Sequence, residues 1–149
     1  MIALAVCIAL VAAAALAGSR FRPDAWYAAL RKPAFNPPKG VFAPVWTTLY
    51  VAIAVAGWRV WTDNGGAIST ALVLWCVQLA LNAAWSWLFF GRHRVGAALV
   101  DVAALLAVIG GFIFAAAPIS ALAAWLFVPY ALWVAFATLL NASILALNR

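Results

Sequence analysis

The chain has 149 residues, of which 70% are hydrophobic and only 8% are charged. A soluble domain carries roughly 25% charged residues, so this composition excludes a soluble fold. The net charge of +6 does not call for a nucleic-acid partner, because lysines and arginines that flank membrane spans account for it.

Four long stretches without charged residues predict the membrane spans. They are Met1–Ser19, Gly40–Trp58, Asn64–Gly91 and Val102–Asn148. One span needs about 20 mostly apolar residues, so the last stretch is long enough for two, and Pro118 marks the break between them. We predict an all-α membrane protein that forms one domain over residues 1–149, a bundle of five transmembrane helices. The helices are expected at about residues 2–19, 41–61, 67–90, 95–116 and 120–147, with a loop at 20–40.

The loop and the start of the second span form the most unusual stretch of the chain. Residues 26–50 read WYAALRKPAFNPPKGVFAPVWTTLY and hold four prolines, three cationic residues and several aromatic ones. A long connection that is stiffened by proline and rich in aromatic side chains is seldom a passive tether. Pro23 suits the first turn of a short helix that would run through Leu30. We predict that this segment is a lid across one end of the bundle.

Almost all cationic side chains belong to one side of the predicted bundle. With five spans, the first and third connections and the C-terminus share a side, and the other side has Arg59 alone. The cations on the shared side are Arg20, Arg22, Arg31, Lys32, Lys39, Arg92, Arg94 and Arg149. The positive-inside rule therefore predicts a cytoplasmic lid and C-terminus and an N-terminus outside.

The third span carries a polar stripe inside an apolar helix. Gln78, Asn82 and Ser86 lie four residues apart, so they share one face. Lipid offers polar groups no hydrogen-bond partner, so this stripe must meet another helix, a ligand or water. For Asn82 we expect a ligand, with an interhelical hydrogen bond as the alternative.

Two rows of small residues suit close helix packing, either within the bundle or between two copies of the chain. The third span has Cys76, Ala80 and Ala84, and the fourth has Ala103, Ala107, Gly111 and Ala115. We favour a homodimer through the third span.

Three other residues, in the last two spans and in the turn before the fourth, bear on the prediction. They are a carboxylate, a histidine and a proline. Asp101 lies about two turns inside the fourth span, where a carboxylate is costly. We expect it to pair with the polar stripe or an arginine, with a proton-carrying role as the alternative. The only histidine, His93, is expected to be solvated. In the fifth span Pro129 aligns with Trp133 and Ala137 at four-residue spacing, and its bend can widen a cavity.

Three of the nine tryptophans suggest a ligand site. Trp46, Trp85 and Trp133 lie on three different spans whose indole faces could converge, which suits a planar aromatic ligand. Others are expected to be packing residues, lipid contacts or interfacial anchors, and these are Trp58, Trp61, Trp75, Trp87 and Trp125.

Four segments of the chain resemble the TspO/MBR family, which includes the bacterial tryptophan-rich sensory proteins and the mitochondrial translocator protein, or peripheral-type benzodiazepine receptor. They are WYAALRKPAFNPP at 26–38, FAPVWTTLY at 42–50, QLALNAAWSWLFFG at 78–91 and PYALWVAFATLLN at 129–141. These segments follow the family's order across most of the chain, so the resemblance is specific. One departure is Ser86-Trp87, where the family often has proline after the tryptophan.

The resemblance implies a five-helix bundle, usually dimeric, with a pocket closed by the loop after the first helix. Family ligands include protoporphyrin IX, haem, synthetic benzodiazepine-site compounds and, in animals, cholesterol. Carried over by motif, the ligand-binding residues would be Tyr27, Pro37, Phe42, Trp46, Asn82, Trp85, Trp133 and Ala137.

Our preferred function is therefore a binding protein, sensor or carrier, for tetrapyrroles and related hydrophobic ligands in a bacterial cell membrane. No obligatory cofactor is expected, and no metal site, because no Cys/His spacing supports one. The alternatives are a light-dependent porphyrin-degrading oxidase, in which Trp46 or Trp133 would relay oxidation, a proton-coupled transporter that depends on Asp101, and a sterol-binding protein. No catalytic triad or carboxylate pair indicates ordinary enzymatic catalysis.

Overall fold

The chain folds into long apolar helices, as its uncharged stretches predict. A computed structural model describes all residues, Met1–Arg149. The helices are α1 (Ile2–Ser19), α2 (Ala25–Ala29), α3 (Lys39–Asp63), α4 (Thr70–Ser86), α5 (Val95–Ala116) and α6 (Ala121–Leu147), and α4 continues into a π-helical turn at Trp87–Gly91. There is no strand. The predicted all-α fold is confirmed.

Five of these helices are long and apolar enough to cross a membrane, namely α1, α3, α4 with its π-helical turn, α5 and α6. The second span is longer than predicted at both ends, because Pro38 serves as the N-cap of α3 and the helix continues to Asp63. The third span begins later than predicted, at Thr70, where the hydroxyl of Ser69 accepts a hydrogen bond from the backbone N–H of Leu72. Such a cap satisfies one of the free N–H groups at a helix start.

The five long helices form a closed ring. Helix α1 packs against α3 and α4, α6 packs against α3 and α5, and α4 packs against α5. The ring order is therefore α1, α3, α6, α5 and α4, so all five helices contribute to one interior.

The half of the bundle away from the loop is solidly packed. Trp75 is only 1% exposed, and its indole N–H donates to the backbone carbonyl of Ile53 at 2.8 Å. The indole lies directly over Gly57, where an added Cβ would be 2.7 Å from Cζ2 of Trp75. Phe112 and Phe127 fill the neighbouring space, with ring centroids 3.8 Å apart. The interior of this half therefore leaves little room for a ligand.

The loop has its own internal structure. The carboxylate of Asp24 caps α2 by accepting from the backbone N–H of Tyr27 at 3.0 Å, and this hydrogen bond is the main reason that the pKa of Asp24 is lowered. The ammonium of Lys32 donates to the carbonyls of Tyr27 at 2.6 Å and Leu30 at 3.1 Å. These bonds fold the loop back on itself.

The loop lies across one end of the bundle and is joined to it on two sides. The imidazole of His93 stacks on Trp26, with ring centroids 4.1 Å apart, and its Nε2 lies 3.2 Å from Oδ2 of Asp24. His93 is exposed, as predicted, but its contacts with Trp26 and Asp24 were not predicted. On the other side, Asn148 accepts from the N–H of Arg31 and donates to its carbonyl, both at 2.9 Å.

Candidate ligand-binding cavity

A cavity of about 710 Å³ lies beneath the loop. Its volume is within the roughly 300–1,000 Å³ that small-molecule sites occupy. The loop and all five long helices contribute side chains to its wall. The eight residues that the sequence singled out all line it, namely Tyr27, Pro37, Phe42, Trp46, Asn82, Trp85, Trp133 and Ala137.

Indole rings from three helices form much of the apolar wall. Trp133 meets Phe42 edge to face, with centroids 5.8 Å apart, and Trp46 lies against Tyr50 at 5.4 Å. Trp85 stacks on Phe89 at 5.2 Å. Contacts of this kind hold each ring in place while its free face or edge borders the cavity, so the wall is built before a ligand arrives.

The π-helical turn Trp87–Gly91 shapes one side of the cavity. A π turn is wider than an α turn and shifts the direction of the side chains that follow it. Here both Phe89 and Phe90 line the cavity, while Trp87 is 45% exposed on the outside. Sequence reasoning missed these two phenylalanines as cavity residues, because an α-helical periodicity does not reveal a π turn.

A chain of hydrogen bonds runs from two residues of the cavity wall, Tyr50 and Asn82, to Tyr130 and Gln78, which do not line the cavity. The hydroxyl of Tyr50 donates to Oδ1 of Asn82 at 3.1 Å. The amide of Asn82 donates to the hydroxyl of Tyr130 at 3.0 Å, and that hydroxyl donates to Oε1 of Gln78 at 2.9 Å. The polar stripe of α4 therefore meets α3 and α6. Asn82 borders the cavity. Its side-chain oxygen and one amide N–H form interhelical hydrogen bonds, which were the alternative to ligand binding that the sequence left open.

Sequence reasoning also missed Tyr130, which joins two members of this stripe. The available signal was its position in an apolar span, since a buried tyrosine hydroxyl needs a hydrogen-bond partner.

A second chain of hydrogen bonds holds Trp85. Its indole N–H donates to Asn141 at 3.1 Å, and Asn141 donates to the carbonyl of Val95 at 2.9 Å. With its polar edge satisfied, Trp85 keeps its ring for apolar contacts.

The side of the cavity beneath the loop is more polar than the rest. Lys39 is exposed and lines the cavity, whereas the ammonium of Lys32 is occupied by loop carbonyls. Asn36 also lines the cavity, and its Oδ1 is buried without a hydrogen-bond partner. Burial raises the pKa of Tyr27, so its phenol stays neutral at physiological pH. Lys39 is thus the free positive charge of this wall.

Asp101 takes no part in this site. It does not line the cavity, and its Oδ2 is buried without a hydrogen-bond partner. The prediction that it pairs with the polar stripe or an arginine is wrong, because its carboxylate forms neither a hydrogen bond with the stripe nor an ion pair with an arginine. Arg59 is the arginine that forms an ion pair, and its partner is Asp63 at 3.0 Å.

Residues on the outer surface also bear on the predictions. Pro129 does not line the cavity but lies in a shallow groove between α3 and α6 that it shares with Pro44. Trp125 is 70% exposed, as a lipid contact would be. In the small-residue row of α4, Cys76 and Ala80 are exposed and Ala84 is half-buried, so most of the face for the predicted homodimer is accessible.

Comparison with known proteins agrees with the motif resemblance. A sequence model of the TspO/MBR family matches residues 3–147. "Tryptophan-rich protein TspO" of Chlorobaculum tepidum is 41% identical, over 99% of this chain and 97% of its own. "Translocator protein" of Homo sapiens is 44% identical, over 78% and 70%, and "Tryptophan-rich sensory protein" of Cereibacter sphaeroides is 37% identical, over 95% and 88%. The chain is therefore a multi-pass integral membrane protein that belongs to the TspO/MBR family.

Proposed function

We propose that this protein binds tetrapyrroles such as protoporphyrin IX and haem, and related hydrophobic ligands, in the cavity beneath its loop. The observation that carries the proposal is the meeting of three indole rings, from α3, α4 and α6, around one space of about 710 Å³. A tetrapyrrole is a flat aromatic macrocycle, and indole faces and edges bind such a surface well. Related proteins named for sensing and translocation favour a sensor or carrier.

The charges around the cavity fit the acidic groups of such a ligand. Lys39 offers an ammonium at the loop side, where propionate groups would remain near water. His93, Cys7 and Cys76 do not line the cavity, so no histidine or cysteine is placed there as an axial iron ligand. The proposal therefore relies on contacts with the ring and the carboxylates of the macrocycle.

Changing Lys39 tests whether the carboxylates are recognised. Lys39→Gln is expected to weaken protoporphyrin IX binding about two- to fivefold, the range for an exposed ion pair. Binding of protoporphyrin IX dimethyl ester should not change, because the ester has no carboxylate. Tryptophan-quenching titrations with both ligands measure the difference.

Arg31→Gln is the matched control, since Arg31 is a cationic residue of the loop whose side chain does not line the cavity. If Lys39→Gln loses affinity equally for the acid and the ester, Lys39 does not recognise a propionate. The same conclusion follows if Lys39→Gln and Arg31→Gln lose affinity for the acid equally.

Photo-oxidation of a bound porphyrin, with dissolved dioxygen as the oxidant, is the second candidate. Trp46 is the cavity residue that favours it, because its ring lies 5.4 Å from Tyr50 and 6.3 Å from Tyr130. Such a row of oxidisable rings leads from the cavity into the bundle. Illuminating the protein with protoporphyrin IX separates the two functions. A carrier returns the pigment unchanged, whereas an oxidase yields a new product more slowly in Trp46→Phe.

A further inference from the structure

His93 is held against the loop by two different interactions. Its ring is nearly parallel to the indole of Trp26, with an interplanar angle of 15°, and its Nε2 faces the Asp24 carboxylate at 3.2 Å. The backbone of His93 has a φ of 54°, an uncommon conformation for a residue other than glycine. The turn between α4 and α5 thus presents the imidazole directly to α2.

Both interactions become stronger when the imidazole is protonated. A cationic ring forms an ion pair with the Asp24 carboxylate and a cation–π contact with the indole of Trp26. Histidine changes its charge at about pH 5–8, so the gain is present in mildly acidic medium and is lost as the pH rises. Asp24 stays ionised throughout this range, because the N–H of Tyr27 and then His93 lower its pKa.

Other charged groups near the imidazole do not replace this pair. Arg92 and Arg94 flank His93 in the chain, and the guanidinium of Arg92 lies over the ring of Trp87 instead. His93 is the one charged side chain that lowers the pKa of Asp24. Asp24 is therefore the anion that responds to protonation of His93.

The second attachment of the loop has no titratable group. Asn148 holds the backbone of Arg31 through an amide that exchanges two hydrogen bonds with it. Tyr27 and Phe35 of the loop also pack on Phe90 and Phe136 of the bundle. The loop is thus held by one contact that depends on pH and by others that do not.

We propose that Asp24, His93 and Trp26 form a pH-dependent latch that holds the loop closed over the cavity more firmly as the medium becomes acidic. The latch is a property of the loop and does not depend on which ligand the cavity binds. For a ligand in the cavity, the latch would slow exchange at low pH, and that consequence alone rests on the proposed function.

Hydrogen–deuterium exchange of the loop amides, without ligand, tests the latch. Exchange over residues 24–36 is measured on the full chain in detergent at about pH 5.5 and about pH 7.5, on either side of the usual histidine titration. Each rate is divided by the intrinsic exchange rate at that pH. We expect protection about two- to fivefold greater at the lower pH, the factor that an exposed ion pair supplies.

Three variants locate the effect. Asp24→Asn keeps a good helix cap but removes the charge, and His93→Asn keeps a residue that tolerates positive φ. Both should give the same protection at the two pH values. Asn148→Ala should reduce protection at both and keep the ratio. The proposal is overturned if the wild-type ratio is one, if Asp24→Asn or His93→Asn keeps the wild-type ratio, or if Asn148→Ala abolishes it.

Discussion

Trp133→Ala is expected to weaken protoporphyrin IX binding by about 10- to 100-fold, since a tryptophan at the centre of a binding site commonly contributes at this level. Trp133 borders the cavity and is held between Phe42 at 5.8 Å and Phe136 at 5.7 Å. Alanine removes one wall of the cavity and leaves the neighbouring rings without support. Fluorescence titration of the purified protein measures the dissociation constant.

Trp125→Ala provides the matched control on the same helix. This tryptophan is 70% exposed on the outer surface and does not line the cavity, so its loss should leave the dissociation constant unchanged. If the two variants bind protoporphyrin IX equally well, the ligand does not contact Trp133 and the proposed site is wrong.

Gly57→Ala is expected to lower the free energy of unfolding by about 1–3 kcal/mol, the usual cost of overpacking. The added methyl group would lie 2.7 Å from both Nε1 and Cζ2 of Trp75. The indole cannot easily move away, because Trp75 is buried and bonded to the carbonyl of Ile53. Helix α4 would have to shift from α3. Loss of helical circular dichroism on heating in detergent reports the change in stability.

Gly110→Ala is the corresponding control in α5. A Cβ at Gly110 would have no neighbour within 4 Å, and alanine is a better helix former than glycine by about 1 kcal/mol. Gly110→Ala should therefore be neutral or stabilising. If Gly57→Ala behaves in the same way, the close contact between α3 and the Trp75 indole does not stabilise the bundle.

The sequence predicted the architecture well because the bilayer imposes simple rules. Uncharged stretches of sufficient length become spans, and the five predicted helices correspond to five membrane-length helices. Proline and aromatic residues marked the loop as a lid, which lies across the bundle end. The eight residues taken from family motifs lie around one cavity, since each motif fixes both the helix and the face on which its residues lie.

What the sequence did not predict depends on contacts between distant segments. Tyr130 and Asn82 are 48 residues apart, on helices that are not neighbours in the ring, so only the packing of the whole bundle brings their polar atoms together. His93 meets Asp24 across 69 residues through a turn with positive φ. The π-helical turn that directs Phe89 and Phe90 has no sequence signature. The sequence also could not show that Asp101 lacks the predicted partners, because this depends on how the helices pack.

Filling the cavity tests the central claim, that a tetrapyrrole binds inside the bundle beneath the loop. Equilibrium titration with protoporphyrin IX compares wild type with Ala137→Trp, whose new indole would occupy the cavity, and with Ala103→Trp, whose new indole would lie on the exposed surface of α5. We predict saturable binding to wild type and Ala103→Trp, and loss of binding in Ala137→Trp while its melting temperature shows that it remains folded. Undiminished binding to a folded Ala137→Trp would contradict the claim, because the ligand would then bind elsewhere.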